Sequence, residues 1–156
     1  MSTKAPIILA VDTSDLELAK SWISHTSEHI SVFKLGLEFF LNFGREGVRA
    51  VTENSDAKIF LDLKLHDIPN TVAHAAQSAS ILNPFFLTVH ASGGSAMIEA
   101  AVQAAPQTNI TAVTVLTSMS ESDVRSVGFS DDALITATRL AQLAVTAGAK
   151  AIVCSP

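Results

Sequence analysis

The segment Lys58-Ile-Phe-Leu-Asp-Leu-Lys-Leu-His-Asp-Ile-Pro-Asn-Thr71 reads as an apolar strand, residues 58–64, that ends in charge and gives way to a helix behind a proline. The two-residue period of a strand puts Asp62 and Lys64 on one face and Leu61, Leu63 and Leu65 on the other. Working outward, further short β-branched runs predict strands at residues 7–12, 31–36, 85–90, 109–116 and 150–154. Stretches of helical periodicity separate them. That alternation is the pattern of βα units wound about a parallel sheet. The strand starts are evenly spaced up to the fifth, where an insertion, residues 117–130, lengthens the gap. No sequence identity links the units, which argues for a wound α/β domain over a solenoid.

The helices carry ordinary start and stop signals. Ser14 and Asp15 are placed to cap a first helix through Leu18, Trp22 and Ile23. Pro69 precedes a helix over 70–82, and the small residues of 92–104 suit close packing on a sheet. A helix over 131–147 carries Leu134, Ile135, Leu140, Leu143 and Ala144, and Gly148 is its expected stop.

The polar residues of these apolar strands gather at the carboxyl ends. Asp12 closes the first strand, Lys34 lies near the end of the second, Asp62 and Lys64 end the third, His90 the fourth, and Thr117-Ser118 follow the fifth. In a wound parallel fold those ends converge on the rim where binding sites form. An Asp beside a Lys in a partly dry cavity keeps the ammonium charged, and such a Lys can protonate a carbanion while the carboxylate repels a substrate anion. The plainer alternative is a surface ion pair at a strand end. Lys34 fits a solvated strand end as well as a ligand role, and Thr117 and Ser118 fit a loop start bonded to its own backbone. His90 reads as a hydrogen-bonded structural histidine, His66 has no assigned role, and Cys154 reads as a small buried apolar residue.

Composition narrows the function class. The chain has 156 residues, with 10 Lys and Arg against 15 Asp and Glu, a formal charge of −5, which disfavours non-specific nucleic-acid binding. With 48% hydrophobic and 16% charged residues it can bury a core, so residues 1–156 read as a single soluble domain. One cysteine allows neither an internal disulfide nor a cysteine zinc cluster. The apolar stretch 6–11 is too short for a signal peptide, and no window is long enough for a membrane span, so the expected location is the cytoplasm. His25 and His29, four apart, are spaced to share a helix face, but no HExxH pattern accompanies them and a surface position is the stronger reading. No GxGxxG or Walker loop is found, and Gly93-Gly94 alone is weak.

Asp62-Leu-Lys64-Leu-His-Asp67-Ile68-Pro69-Asn70-Thr71 resembles the signature of the orotidine 5'-monophosphate decarboxylase family in its bacterial form. Leu9-Ala-Val-Asp12, Phe33-Lys34-Leu-Gly36, Val89-His-Ala91 with Gly93-Gly94, and Val115-Leu-Thr117-Ser118 match it in order and spacing. The resemblance implies a (β/α)8 TIM barrel and cofactor-free decarboxylation of orotidine 5'-monophosphate to UMP, without a metal. It implies Lys64 as proton donor to carbon 6 of the pyrimidine and Asp62 crowding the substrate carboxylate. Lys34 and Asp12 would hold ribose hydroxyls, Lys34 also fixing the charge network through Asp62, and Thr117 and Ser118 would face the pyrimidine edge. Asp67 and Thr71 would reach into the neighbouring subunit's site, with Ile68 lining the pocket, so Asp67 joins the catalytic set in a homodimer. Pro69 and Asn70 complete the substrate-binding run. A magnesium-dependent sugar-phosphate decarboxylase or aldolase of the same barrel group shares only the Asp-x-Lys-x-x-Asp skeleton, and the continuation Ile68-Pro69-Asn70-Thr71 argues against it.

A complete barrel of this kind takes about 250 residues and at least about 200. Six strands ending at Pro156 therefore read as its amino-terminal part, with the last two βα units and their phosphate-gripping loops outside it. In the resembled family those units carry a Gln and an Arg that grip the phosphate, and neither maps to a residue here. The expectation is weak or absent turnover by these residues alone, and the rival from another class is an inactive remnant acting as a folding or assembly partner.

Overall fold

A computed structural model describes residues 4–53 and 56–155. Pro156, the last residue of the expected domain, lies outside the described residues, as do residues 1–3. The strands are β1 (Ala5–Ala10), β2 (Ile30–Gly36), β3 (Lys58–Leu65), β4 (Phe86–His90), β5 (Asn109–Val113) and β6 (Ala151–Val153). The helices are α1 (Leu16–Thr26), α2 (Leu37–Thr52), α3 (Pro69–Ser80), α4 (Ser95–Ala104), α5 (Glu121–Ser126) and α6 (Ala133–Thr146). All strand pairs are parallel and run in the order β1-β2-β3-β4-β5-β6. A sheet whose spatial order equals its chain order, each strand before the last followed by helix, is the six-stranded part of a curled (β/α)8 barrel. Among the described residues β1 and β6 are its open edges.

Local chemistry accounts for the helix starts. Asp15 caps α1, its carboxylate accepting from the N–H groups of Glu17 at 2.9 Å and Leu18 at 3.1 Å. Pro69 occupies the first turn of α3, where its missing N–H costs nothing. Asp132 caps α6 through the Ile135 N–H at 2.8 Å, and Gly148 just beyond that helix has φ 96°, a left-handed stop of the kind glycine supplies. The 117–130 insertion is not all loop. Ser120 and Asp123 form a capping box that starts α5, and their hydrogen bonds hold the Asp123 carboxyl below its ordinary range. The Glu121 carboxylate then crosses to the Ala133 N–H at 3.0 Å and ties the insertion to the start of α6.

Element limits shift where hydrogen bonds, not hydrophobicity, decide them. β5 stops at Val113 instead of reaching residue 116, and the bond from the Thr114 N–H to the Val153 carbonyl is its last rung on β6. The segment 92–104 begins with a single 3-10 turn, Ala91–Gly93, before α4. α1 ends at Thr26, so His25 and His29 do not share a helix face; both are exposed. Cys154 is exposed, not buried as expected, because it lies beyond β6 on the sheet's edge, where no described element covers it.

The core lies between the strands' outer faces and the helices. Phe33 and Leu35 of β2, Leu61 of β3 and Leu87 and Val89 of β4 are wholly buried, together with Phe39, Met97 and Ile98 from the helices. Strands covered on both faces read as continuous apolar runs, which is why these do. Leu61 sits in the middle of this set, and Leu61→Ala is expected to lower unfolding stability by about 2–5 kcal/mol. Urea unfolding checks this, and a loss below about 1 kcal/mol would mean that β3 is not central to the core.

Candidate active site

Parallel register brings the charged strand ends together. Ala10 pairs with Lys34 and Gly36 with Asp62, so Asp12, two residues past Ala10, falls level with Gly36 and Asp62. The middle position of that row is a glycine. A Cβ on Gly36 would come within 3.3 Å of Asp12 Oδ1 and 3.7 Å of Lys34 Nζ, so its absence leaves the space in which these groups meet. Lys34, one layer below, extends up between the two carboxylates. Its Nζ donates to Asp12 Oδ1 at 3.1 Å and lies 3.8 Å from Asp62 Oδ2. Lys64 Nζ donates to the same Asp62 oxygen at 2.8 Å.

The result is a row of alternating sign, Asp12, Lys34, Asp62, Lys64. Burial is graded along it: the Asp62 side chain is 13% exposed, Lys34 22%, Lys64 31% and Asp12 56%. The least exposed carboxylate is the one with two cations, as desolvation demands. With Phe60, Val113, Val115, Leu116, Thr117 and Val153, the groups Lys34, Asp62 and Lys64 line a cavity of about 280 Å³. Leu63 and Leu65 line a separate cleft against α2 and α3, so the charged and apolar residues of β3 do take opposite faces. The ion pair is thus part of a cavity wall and not a solvated surface pair.

One departure from regular strand geometry falls within the motif. Leu61 pairs with Leu87 but Leu65 pairs with Val89, so four residues of β3 are spanned by two of β4. Lys64 takes up the slack with φ 49°. That left-handed conformation costs a residue with a side chain about 1–2 kcal/mol. The Thr88 hydroxyl bridges the irregularity, accepting from the Lys64 backbone N–H at 2.8 Å and donating to Asp62 Oδ1 at 2.9 Å. Sequence reasoning passed over Thr88, which looks like a β-branched strand filler. Its signal is a hydroxyl in an otherwise apolar buried strand, two residues before His90.

The other predicted positions divide in two. Thr117 reaches the cavity, whereas Ser118 is exposed beside it and is not among the lining residues. Asp67, Ile68, Pro69, Asn70 and Thr71 are all exposed and do not join the charged row; the Asp67 carboxylate accepts from the Ile68 N–H at 2.6 Å. His66, just past β3, stacks on His90 with ring centroids 5.2 Å apart. Among the described residues His90 is held by this contact and by burial, with no hydrogen bond to its ring, contrary to the expected hydrogen-bonded role. Gly93 makes room for the stack, since a Cβ there would press on Met97 and lie 3.2 Å from the His66 ring.

Comparison with known proteins agrees with this geometry. The family described as orotidine 5'-phosphate decarboxylase / HUMPS matches residues 5–156. The chain belongs to that family. An orotidine 5'-phosphate decarboxylase of Thermobifida fusca is 53% identical over 152 residues, covering 97% of this chain and 65% of the relative. One from Novosphingobium aromaticivorans is 48% identical over 151 residues, covering 96% and 67%. The crystal structure of orotidine 5'-phosphate decarboxylase from Lactobacillus acidophilus superposes with TM-score 0.88 at 35% identity, covering 97% of this chain and 71% of that one. The chain therefore spans about two thirds of the length of the curated relatives it matches.

His90 generates a pH prediction. Burial pushes its pKa below the ordinary 6.5, the neighbouring His66 and Lys64 push the same way, and Asp62 opposes them. A histidine depressed in the folded state binds fewer protons than in the unfolded chain, so its contribution is whole above about pH 6.5 and is lost as pH falls from there through the lower folded-state pKa. Comparing urea midpoints at about pH 7.5 and about pH 5.5, His90→Gln should lose less stability on acidification than the parent chain. Equal losses would contradict this assignment.

Proposed function

We propose that this chain supplies the catalytic part of a barrel that decarboxylates orotidine 5'-monophosphate to UMP, a step of de novo pyrimidine synthesis, in the cytoplasm and without a cofactor. The observation that carries the reading is the Lys64 ammonium held 2.8 Å from Asp62 in the cavity wall, with Lys34 and Asp12 completing the row. Loss of carbon dioxide from the ring leaves a carbanion at carbon 6. A fixed ammonium beside it stabilises the charge as it develops and then delivers the proton. Asp62, anchored from below, faces the departing carboxylate with like charge, an interaction relieved as carbon dioxide leaves.

Placement supports the remaining roles, which the family resemblance implies. Asp12, the most exposed member of the row, and Lys34 bonded to it suit ribose hydroxyls. Thr117 at the cavity edge, with Ser118 beside it, suits the polar edge of a pyrimidine. The exposed run Asp67, Ile68, Pro69, Asn70 and Thr71 suits a second copy's site, making the working unit a homodimer with Asp67 and Thr71 shared between subunits. Among the described residues no three His, Cys, Asp or Glu side chains cluster as a metal site, and no helix is long and apolar enough to cross a membrane.

The test is turnover of orotidine 5'-monophosphate, followed by absorbance, by the 156 residues alone and fused to the carboxy-terminal third of the Thermobifida fusca relative. The fused barrel should be active and the 156 residues at least about 100-fold slower, since phosphate-gripping loops in such barrels follow strands seven and eight. In the fusion, Lys64→Ala should lower kcat by about 10³-fold or more while UMP affinity changes less than about tenfold. Retention of kcat within about tenfold would refute the proton-donor role. Abolition of activity by a chelator would favour the magnesium-dependent sugar-phosphate reading instead.

A further inference from the structure

Two polar groups meet at the bulge in β3, a backbone donor that the irregular ladder leaves unpaired and a side-chain oxygen. One is the backbone N–H of Lys64, the other Asp62 Oδ1, the oxygen not taken by the lysines. A single hydroxyl satisfies both. Thr88 is wholly buried, and its side chain accepts from Lys64 N at 2.8 Å and donates to Asp62 Oδ1 at 2.9 Å. A hydroxyl is the smallest side-chain group able to accept and donate at once.

We propose that Thr88 is a positioning residue for the decarboxylation assigned above, locking the left-handed backbone of Lys64 and the rotamer of Asp62 into one arrangement. The inference rests on that functional reading. Lys64 with φ 49° persists only while its surroundings hold it there, and its amide has Thr88 Oγ1 as partner. Relaxing that residue swings its Cα–Cβ bond and carries Nζ away from the cavity. Freeing Oδ1 lets the Asp62 carboxyl turn, which disturbs the oxygen shared by both lysines. Thr88 itself is not among the residues lining the cavity, so it acts through its two neighbours and not on substrate.

Thr88→Val keeps the volume and removes both hydrogen bonds, while Thr88→Ser keeps both and removes a methyl group. In the 156-residue chain, amide exchange at Lys64 and the Asp62 carboxyl ¹³C resonance are read by NMR. Thr88→Val should expose the Lys64 amide and move the Asp62 resonance, and Thr88→Ser should restore both. In steady-state turnover by the fused barrel, Thr88→Val should lower kcat about 30-fold or more with KM within about threefold, and Thr88→Ser should return kcat to within about threefold of the unsubstituted fusion. Equal losses in the Ser and Val variants, a change confined to KM, or a Thr88→Val chain that fails to fold would overturn the proposal by showing a packing or folding role. If the unsubstituted fused barrel turns over no substrate, the decarboxylase reading fails by itself. The exchange and resonance data then still decide whether Thr88 sets the geometry, and unchanged signals in Thr88→Val would overturn it.

Discussion

Two lysines and two aspartates share one rim of the sheet, and each can be there only because the others are. An ammonium or carboxylate drawn partly out of water loses hydration that only an opposite charge or a hydrogen bond replaces. Asp62, the least exposed of the four, therefore has both lysines and the Thr88 hydroxyl around it, while Asp12, more than half exposed, needs only Lys34. The row is internally neutral and held from several strands at once. Its geometry belongs to the sheet and not to any one loop, which is the preorganisation that electrostatic catalysis requires.

Strand register makes this row in a parallel sheet without special loops. Partners across β1, β2 and β3 place Asp12, Gly36 and Asp62 level, and the missing side chain at Gly36 lets Lys34 rise between the two acids. A larger residue there would separate charges that now touch. The same economy governs β3, where the bulge turns Lys64 out of the ladder and yet leaves Leu63 and Leu65 on the helix-facing side. The strand serves the core with one face and the chemistry with the other.

Much of this was legible because hydrophobic periodicity and charge placement report directly on burial. The six strands, the faces of Asp62 and Lys64 and the convergence of Asp12 and Lys34 on them follow from side-chain alternation and from the rule that parallel strand ends gather at one rim. What escaped depends on hydrogen bonds that no pattern encodes. Thr88 reads as any β-branched strand residue until the bulge brings the Lys64 amide to it. Gly36 reads as an ordinary strand end until its neighbours are known. Cys154 reads as core because cysteine usually is, but its surroundings lie beyond the last described strand.

The exposed run after β3 follows a different logic from the charged row. Pro69 fixes the start of α3, and the Asp67 carboxylate binds the Ile68 N–H, so the backbone carrying these side chains is held in place even though the side chains meet solvent. Ile68 is 66% exposed on that support, as Leu41 at 80% and Leu134 at 76% are elsewhere, and an apolar side chain in water gains free energy from a covering contact. A flexible loop would point the other way, since ordering it on contact would consume much of that gain. A held backbone beneath an exposed isoleucine, an aspartate and a threonine is what the homodimer proposed above would use. It also explains why this run shares a motif with Asp62 and Lys64 yet takes no part in their cluster.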